Sequence, residues 1–195
     1  EPGLAAITGP RFYGWVMGGS NPVGVAADWL TSLWGQNAGN HLATPSAAAA
    51  EEQAATALLE LFDLPRECSV GFTTGATMAN FTCLAAARNE VLRRTGWDVE
   101  ADGLFGAPEI TVLLGEEAHS TVFAALKYLG LGQSRVARIA VDRNGAILPD
   151  AFKAALSKAS GPVIAIVQAG QINTGAFDPF EAIIATAHAK HAWVH

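Results

Sequence analysis

Short apolar runs alternate with helical patterns along most of this chain, and this alternation constrains the fold more than any other feature. The runs are rich in Val, Ile and Leu, which is typical of parallel strands buried on both faces. The predicted strands are 69–72, 109–114, 135–141, 162–168 and 191–195, and the helices predicted after the first four are 78–94, 120–129, 149–157 and 179–189. The sequence therefore predicts an α/β fold with a mainly parallel sheet flanked by helices.

Two more helices are predicted upstream of this alternation. Pro22 can begin a helix that runs to about Gly35, because proline suits the first helical position. Thr44 can cap a second helix, with Pro45 at its first position and an Ala-, Glu- and Leu-rich stretch over 47–62. Residues 96–108 are predicted to form a loop-like insertion.

The composition excludes several functional classes. Half of the 195 residues are apolar and 15% are charged, which argues against disorder. A net charge of -6 without a Lys/Arg run argues against a nucleic-acid or anionic-membrane partner, and no apolar stretch is long enough to span a membrane. Cys68 and Cys83 have neither metal-ligand nor disulfide spacing, which predicts a cytoplasmic location. The chain starts without Met and stops at His195 inside a predicted strand, so we expect it to be part of a longer protein.

Candidate site residues follow the predicted strands, because ligands of parallel sheets gather at the carboxyl ends of the strands. The segments at these ends are 73–77, 115–120, 169–175 and His195 itself. The first of them turns through glycine and threonines into a helix, a geometry that binds phosphate through free backbone N–H groups. It matches neither the Walker pattern nor the dinucleotide fingerprint.

Each candidate also has a purely structural interpretation. Thr74 or Thr77 could simply cap a helix, His119 could be a structural histidine, and Asn173–Gly175 could be a turn that ends in glycine. An aromatic cluster near the N-terminus has two interpretations as well, core or interface packing and the wall of a pocket for a flat substrate. Its members are Phe12, Tyr13, Trp15, Trp29 and Trp34.

The segment Phe72–Asn80, followed by Leu84–Arg88, resembles the "T-x-G-(G/A)-(S/T)-x-A-N … A-A-R" stretch of the group II pyridoxal-phosphate amino-acid decarboxylases. This family contains the aromatic-L-amino-acid and glutamate decarboxylases. Four other segments resemble family motifs in the same order: 10–14 ("P-x-F-(F/Y)-(G/A)"), 117–122 ("A-H-S-S/T"), 170–179 ("G-x-x-x-x-G-A-F-D-P") and 192–195 ("W-hydrophobic-H"). The agreement in order along nearly the whole chain makes the resemblance specific.

The resemblance implies the large domain of a PLP-dependent transferase-like fold, present in part, in a homodimeric enzyme. Residues 1–43 would be an N-terminal segment with substrate-pocket and dimer contacts, and residues 44–195 the first part of the PLP-binding domain. The function implied is decarboxylation of an L-amino acid to its amine and CO2, and the aromatic cluster favours an aromatic substrate. The remaining C-terminal half of the enzyme would be a necessary partner.

The resemblance also implies roles for individual residues. Gly75, Ala76 and Thr77 would cradle the cofactor phosphate. His119 would stack on the pyridine ring, close to the carboxylate that is lost, and is the expected catalytic residue. The other implied positions are Asn173 and Thr174 in a turn that approaches the cofactor, His195 just before the family's aspartate, and Phe12, Tyr13 and Trp15 in the substrate pocket.

Two groups that the family requires are missing from this sequence. The aspartate expected after His195 lies beyond its last residue, and the lysine of the family's "H-K" motif has no counterpart. The lysines present fall in predicted helices without that context: Lys127, Lys153, Lys158 and Lys190. We therefore expect the isolated chain to be inactive. Other functions stay open: an aminotransferase or carbon–carbon lyase of the same fold, or a non-catalytic fragment that binds a partner or phosphate.

Overall fold

The computed structural model describes residues 3, 5–14 and 17–195, which divide into two compact units, 1–72 and 73–195. The domain boundary predicted after residue 43 stays a prediction. The first unit contains α1 (Pro22–Trp34) and α2 (Pro45–Leu61). Proline occupies the first turn of both helices, as predicted. The predicted cap Thr44 precedes α2, but its hydroxyl donates to the carbonyls of Asn37 and Asn40 rather than accepting from the helix.

The second unit contains the sheet and five helices of the described chain. Its elements are α3 (Ala76–Arg93), α4 (Val99–Asp102), β1 (Thr111–Gly115), α5 (Ser120–Tyr128), β2 (Val136–Ile139), α6 (Pro149–Lys158), β3 (Val163–Ile166), α7 (Phe180–His188) and β4 (Trp193–Val194). The strands lie in the order β2-β1-β3-β4 and all three pairings are parallel. The predicted α/β fold with a mainly parallel sheet is confirmed.

Both faces of the sheet are covered, which explains why the central strands β1 and β3 are almost entirely apolar. On one face Val112, Leu114 and Ile164 pack with α3 and α5. On the other face Leu113 and Ala165 belong to a second cluster with residues of α6 and α7. Successive side chains of a strand point to opposite faces, so both faces of these central strands favour apolar residues, whereas the exposed Arg138 lies in the outer strand β2. Burial of a large apolar side chain stabilises the fold by about 1.5–3 kcal/mol, so these two clusters stabilise the sheet and the helices packed on it.

The structure differs from the sequence prediction at two segments. Residues 69–72, predicted as the first strand, form no strand, and they take part in none of the described ladders. The predicted loop 96–108 contains α4, whose start is capped by the Asp98 carboxylate through the N–H groups of Glu100 and Ala101.

Candidate functional site

His119 lies at the carboxyl edge of the sheet, four residues after β1 ends. It is the N-cap of α5, where its imidazole Nδ1 accepts a hydrogen bond from the Thr121 backbone N–H at 3.3 Å. The same nitrogen lies 2.9 Å from the Thr121 hydroxyl oxygen. The His119 backbone N–H donates to Oε1 of Gln168, which follows β3, at 3.2 Å. The ring itself is exposed, so it is fixed at Nδ1 while remaining accessible.

Asn80, on α3, connects this histidine with the end of β4. Its Nδ2 donates to the Thr121 hydroxyl at 3.2 Å, and its Oδ1 lies 2.8 Å from Nε2 of His195. His195 extends the ladder of β4, since its N–H donates to Ala165 and its carbonyl accepts from Val167. Burial lowers the pKa of the His195 imidazole below the usual value of 6.5. Two predicted site residues, His119 and His195, are thus joined through two intervening side chains.

The turn predicted to bind phosphate begins α3. Gly75 is the N-cap, at φ 159° and ψ 174°, a backbone conformation that is open essentially to glycine alone. The first backbone bond of the helix runs from Ala79 N–H to the Gly75 carbonyl. Within the described residues, the N–H groups of Ala76, Thr77 and Met78 have no partner, and their side chains are exposed. Free donors at the positive end of a helix fit a phosphate group.

The prediction that Thr74 or Thr77 could cap this helix is wrong. Neither Thr74 nor Thr77 caps the helix, because Gly75 takes the N-cap position and no side chain bonds to the first turn. The nearby Thr73 hydroxyl instead donates to the Gly75 carbonyl at 3.3 Å. Asn80 lies one turn further along the same helix, so α3 carries both the phosphate-type turn and the side chain that bonds His195.

The turn after β3 is held by the buried side chain of Gln171. Its Oε1 accepts from the backbone N–H groups of Asn173 (2.6 Å) and Thr174 (2.9 Å), and its Nε2 donates to Glu117 Oε2 (3.0 Å). The Thr174 hydroxyl donates to the Asn144 carbonyl at 2.6 Å. Gln171 therefore ties this turn to the loop that follows β1 and carries His119.

The remaining predicted residues are placed as follows. Asn173 and Thr174 are exposed in that turn, and the Thr174 hydroxyl is already engaged within it, so their contact with a cofactor stays a prediction. In the first unit, Phe12 is half-buried and Tyr13 is exposed, whereas Trp15 lies outside the described residues. The four lysines are exposed, as expected for solvated helix residues, although Lys190 lies just past the end of α7.

Sequence reasoning assigned no site role to Asn80, Thr121, Gln168 or Gln171. Asn80, Thr121 and Gln171 lie inside the motif segments, and Gln168 is a polar residue that closely follows the fully apolar strand β3. In the part of the chain that the structure describes, no three His, Cys, Asp or Glu residues cluster in a way that could hold a metal ion. None of the helices in residues 17–195 combines the length and the apolar character needed to cross a bilayer.

Comparisons with known proteins agree with this geometry. A conserved domain described as "Pyridoxal-dependent decarboxylase conserved domain" matches residues 1–195. The chain is 32% identical to the L-2,4-diaminobutyrate decarboxylase of Rhizobium meliloti (strain 1021) over 175 residues, which cover 88% of the chain and 33% of that relative. It is 28% identical to the aromatic-L-amino-acid decarboxylase of Bacillus atrophaeus over 196 residues, which cover 98% of the chain and 38% of the relative.

The fold is also shared with a solved structure, mouse CSAD in its apo form. The TM-score is 0.83 at 22% identity, over 92% of this chain and 38% of the mouse chain. The chain thus spans roughly a third of the length of the curated relatives it matches. The sequence resemblance to group II decarboxylases is confirmed by these matches. With a conserved domain that matches every residue from 1 to 195, this chain belongs to the pyridoxal-dependent decarboxylase family.

Proposed function

We propose that the protein containing this chain removes the carboxylate of an L-amino acid as CO2 and releases the amine, with pyridoxal 5'-phosphate as cofactor. The observation that carries this proposal is the link between α3 and His119. One helix presents the free N–H groups of a phosphate-type turn and, through Asn80 and Thr121, bonds the imidazole at the same sheet edge. The match to the decarboxylase domain supplies the reaction class.

Gly75, Ala76 and Thr77 are the residues proposed to hold the cofactor phosphate. Their position at the start of α3 offers unpaired backbone N–H groups and the positive end of the helix dipole, which both favour a phosphate. The Thr77 hydroxyl is exposed and adds a further donor. When bound, pyridoxal phosphate supplies an electron sink for the pair left behind by the departing carboxylate.

His119 is the proposed catalytic residue. Its exposed, flat ring is held at Nδ1 by Thr121 and can pack against the pyridine ring, while Nε2 can handle a proton near the reacting carboxylate. We propose that Asn173 and Thr174 approach the cofactor from the turn fixed by Gln171. His195 would help to position the end of β4 beside the cofactor. Phe12, Tyr13 and Trp15 are proposed to line the substrate pocket.

The substrate is proposed only as an L-amino acid, and its side-chain class is open to a direct test. The names of the two relatives point to different side chains, a short amine in one and an aromatic ring in the other. The aromatic residues near the N-terminus favour an aromatic substrate, because flat rings pack well against one another. Activity on L-2,4-diaminobutyrate with none on aromatic amino acids would overturn that preference.

The test uses the natural full-length protein that contains this chain. After addition of pyridoxal phosphate we expect a visible absorption band, which borohydride removes while fixing the cofactor to a lysine. We also expect CO2 and one equivalent of amine from L-2,4-diaminobutyrate or from an aromatic L-amino acid. Absence of the band would overturn the cofactor assignment. Formation of a keto acid instead of CO2 would favour the aminotransferase alternative.

We also propose a homodimer in the cytoplasm, with the C-terminal half of the enzyme completing the site. Helix α1 contains no buried residue, and its large apolar side chains lie on one face. They are Val23, Val25, Trp29, Leu30, Leu33 and Trp34. Such an exposed face is typical of a protein interface. Cys68 and Cys83 are both free, as expected in a reducing compartment. Light scattering of the full-length protein should give twice the monomer mass, and Trp29→Glu should lower it.

A further inference from the structure

Four side chains form a continuous hydrogen-bonded chain between the ends of β4 and β1. It runs from His195 Nε2 to Asn80 Oδ1 (2.8 Å), from Asn80 Nδ2 to Thr121 Oγ1 (3.2 Å), and from Thr121 Oγ1 to His119 Nδ1 (2.9 Å). Three of its members are half-buried, and only His119 is exposed. The chain therefore ends at the one imidazole to which the proposed function assigns catalysis.

The direction of proton donation is fixed at Asn80. A side-chain amide has an oxygen that only accepts and a nitrogen that only donates. Because Asn80 Oδ1 faces His195, that imidazole must donate its Nε2 proton. Because Asn80 Nδ2 faces the Thr121 hydroxyl, the hydroxyl oxygen must accept. The one proton of the Thr121 hydroxyl is then left to donate elsewhere, and His119 Nδ1 is the remaining acceptor.

At His119 the same conclusion follows from a second contact. The backbone N–H of Thr121 also points at Nδ1, at 3.3 Å. A nitrogen that accepts from two donors uses its lone pair and carries no proton. A neutral imidazole has one N–H, so the proton of His119 must be on Nε2. Nε2 has no hydrogen-bond partner among the described residues, and the ring is exposed.

We propose that Asn80 and Thr121 are positioning residues that hold His119 in its Nε2–H tautomer. Without the direction set by Asn80, the Thr121 hydroxyl could also accept from a protonated Nδ1, and only the Thr121 backbone N–H would then favour the Nε2–H tautomer. The fixed tautomer leaves His119 with an N–H donor, Nε2–H, on the accessible side of the ring. The use of this donor in catalysis rests on the proposed function. The tautomer itself is a property of this chain and needs no cofactor.

The test measures the tautomer of His119 in the apo form of the natural full-length protein. Long-range ¹H–¹⁵N correlations of histidine-labelled protein, recorded at alkaline pH where imidazoles are neutral, show which ring nitrogen carries the proton. The His119→Asn variant identifies the His119 signals by their loss. We expect wild type to show Nε2–H. Thr121→Val should shift the tautomer ratio about fivefold toward Nδ1–H, the size expected from one neutral hydrogen bond.

Three further variants make the test specific. Thr121→Ser keeps the hydroxyl and should keep the wild-type ratio. Asn80→Asp keeps the shape of the side chain but removes its hydrogen-bond donor, so the Thr121 hydroxyl should donate to the new carboxylate instead of to His119. The His119 tautomer ratio should then shift toward Nδ1–H by at least about fivefold. This variant also serves if Thr121→Val does not fold. Thr82→Val removes a hydroxyl that bonds only the Met78 carbonyl on α3, and it should leave His119 unchanged.

Two results would overturn the proposal. One is a wild-type His119 protonated at Nδ1. The other is an unchanged ratio in Asn80→Asp, which would mean that the Thr121 hydroxyl already donates to Asn80 rather than to His119. Failure of the proposed function gives a different pattern. Tautomer shifts in a protein that releases no CO2 from any amino acid would support the role of Asn80 and Thr121 and refute decarboxylation.

Discussion

The carboxylate of Asp178 accepts the backbone N–H of Ile147 across 31 residues of sequence, with 2.7 Å between Asp178 Oδ1 and the Ile147 nitrogen. Its other oxygen accepts the Gln168 N–H, also at 2.7 Å. Asp178 is buried, and it joins the segment after β2 to the end of β3. Gln168 in turn bonds the His119 backbone, so this aspartate holds the edge on which the candidate site is built.

Replacing Asp178 with alanine should therefore loosen the sheet edge. The variant leaves two backbone donors without a partner, and loss of such charge-assisted bonds costs about 3 kcal/mol. We expect faster amide hydrogen exchange in peptides that contain Ile147 and Gln168, with a lower thermal midpoint. The control Glu181→Ala removes an exposed carboxylate on the first turn of α7 and should change neither peptide. Equal protection in Asp178→Ala and wild type would contradict this role.

Gly145 is expected to be essential for the contact between Glu117 and Gln171. A Cβ at this position would lie 2.7 Å from Glu117 Oε2 and 2.9 Å from Gln171 Cγ, and the backbone has φ +84°. Gly145→Ala should cost about 2–4 kcal/mol, since left-handed strain and overpacking add. Thermal unfolding measures the loss.

A matched control separates the two causes. Gly96 has φ +87° and open space where its Cβ would be, so Gly96→Ala introduces the strain without the clash. It should cost about 1 kcal/mol. If both variants were destabilised equally, the steric explanation for Gly145 would fail.

Local sequence signals predicted the elements well because they act over a few residues. Proline marks the first turn of α1, α2 and α6, and uninterrupted apolar runs mark β1 and β3. The run at 69–72 is also largely apolar but contains Ser69 and Gly71, and it forms no strand. A strand also needs a neighbour to pair with. Composition carries no information about that neighbour.

The position of the candidate site could be predicted from the sequence, but the hydrogen bonds between its residues could not. The carboxyl-edge rule pointed to His119 and His195, yet it could not show that Asn80 joins them. The two bonds of Asn80 span 41 and 115 residues, and they depend on side-chain directions that only the packed structure sets. For Thr74 and Thr77 the sequence suggested a role that the structure does not give them. Threonine suits the N-cap position of a helix, but Gly75 occupies that position in α3.

The lowered pKa of His195 should make stability depend on pH. Burial lowers the pKa of this imidazole in the native state. Below about pH 6.5 the unfolded chain therefore binds a proton at His195 more readily than the native state does. Stability is therefore full above about pH 6.5 and is lost as the pH falls through that value toward the native pKa. Each unit of difference in pKa corresponds to about 1.4 kcal/mol. The His195→Gln variant should lose less thermal stability between about pH 7.5 and about pH 5.5 than wild type.

The control for this pH effect is a histidine that is not part of the second unit. His41 is exposed in the first unit, so His41→Gln should keep the wild-type pH dependence. A pH dependence that is the same in His195→Gln and wild type would show that His195 does not contribute. NMR titration of the His195 ring protons measures its native pKa directly.

His119 can be tested with two substitutions that separate catalysis from capping. His119→Ala removes both the imidazole and the N-cap of α5, whereas asparagine is among the best N-cap residues and can still accept from the Thr121 N–H. Both variants of the full-length protein should lose about 100-fold or more in turnover, because neither has a group that can transfer the proton. Only His119→Ala should also lose about 1 kcal/mol of stability. The exposed His188 gives the control, and His188→Ala should keep wild-type turnover. Turnover by His119→Asn at the wild-type rate would show that His119 acts only as a helix cap.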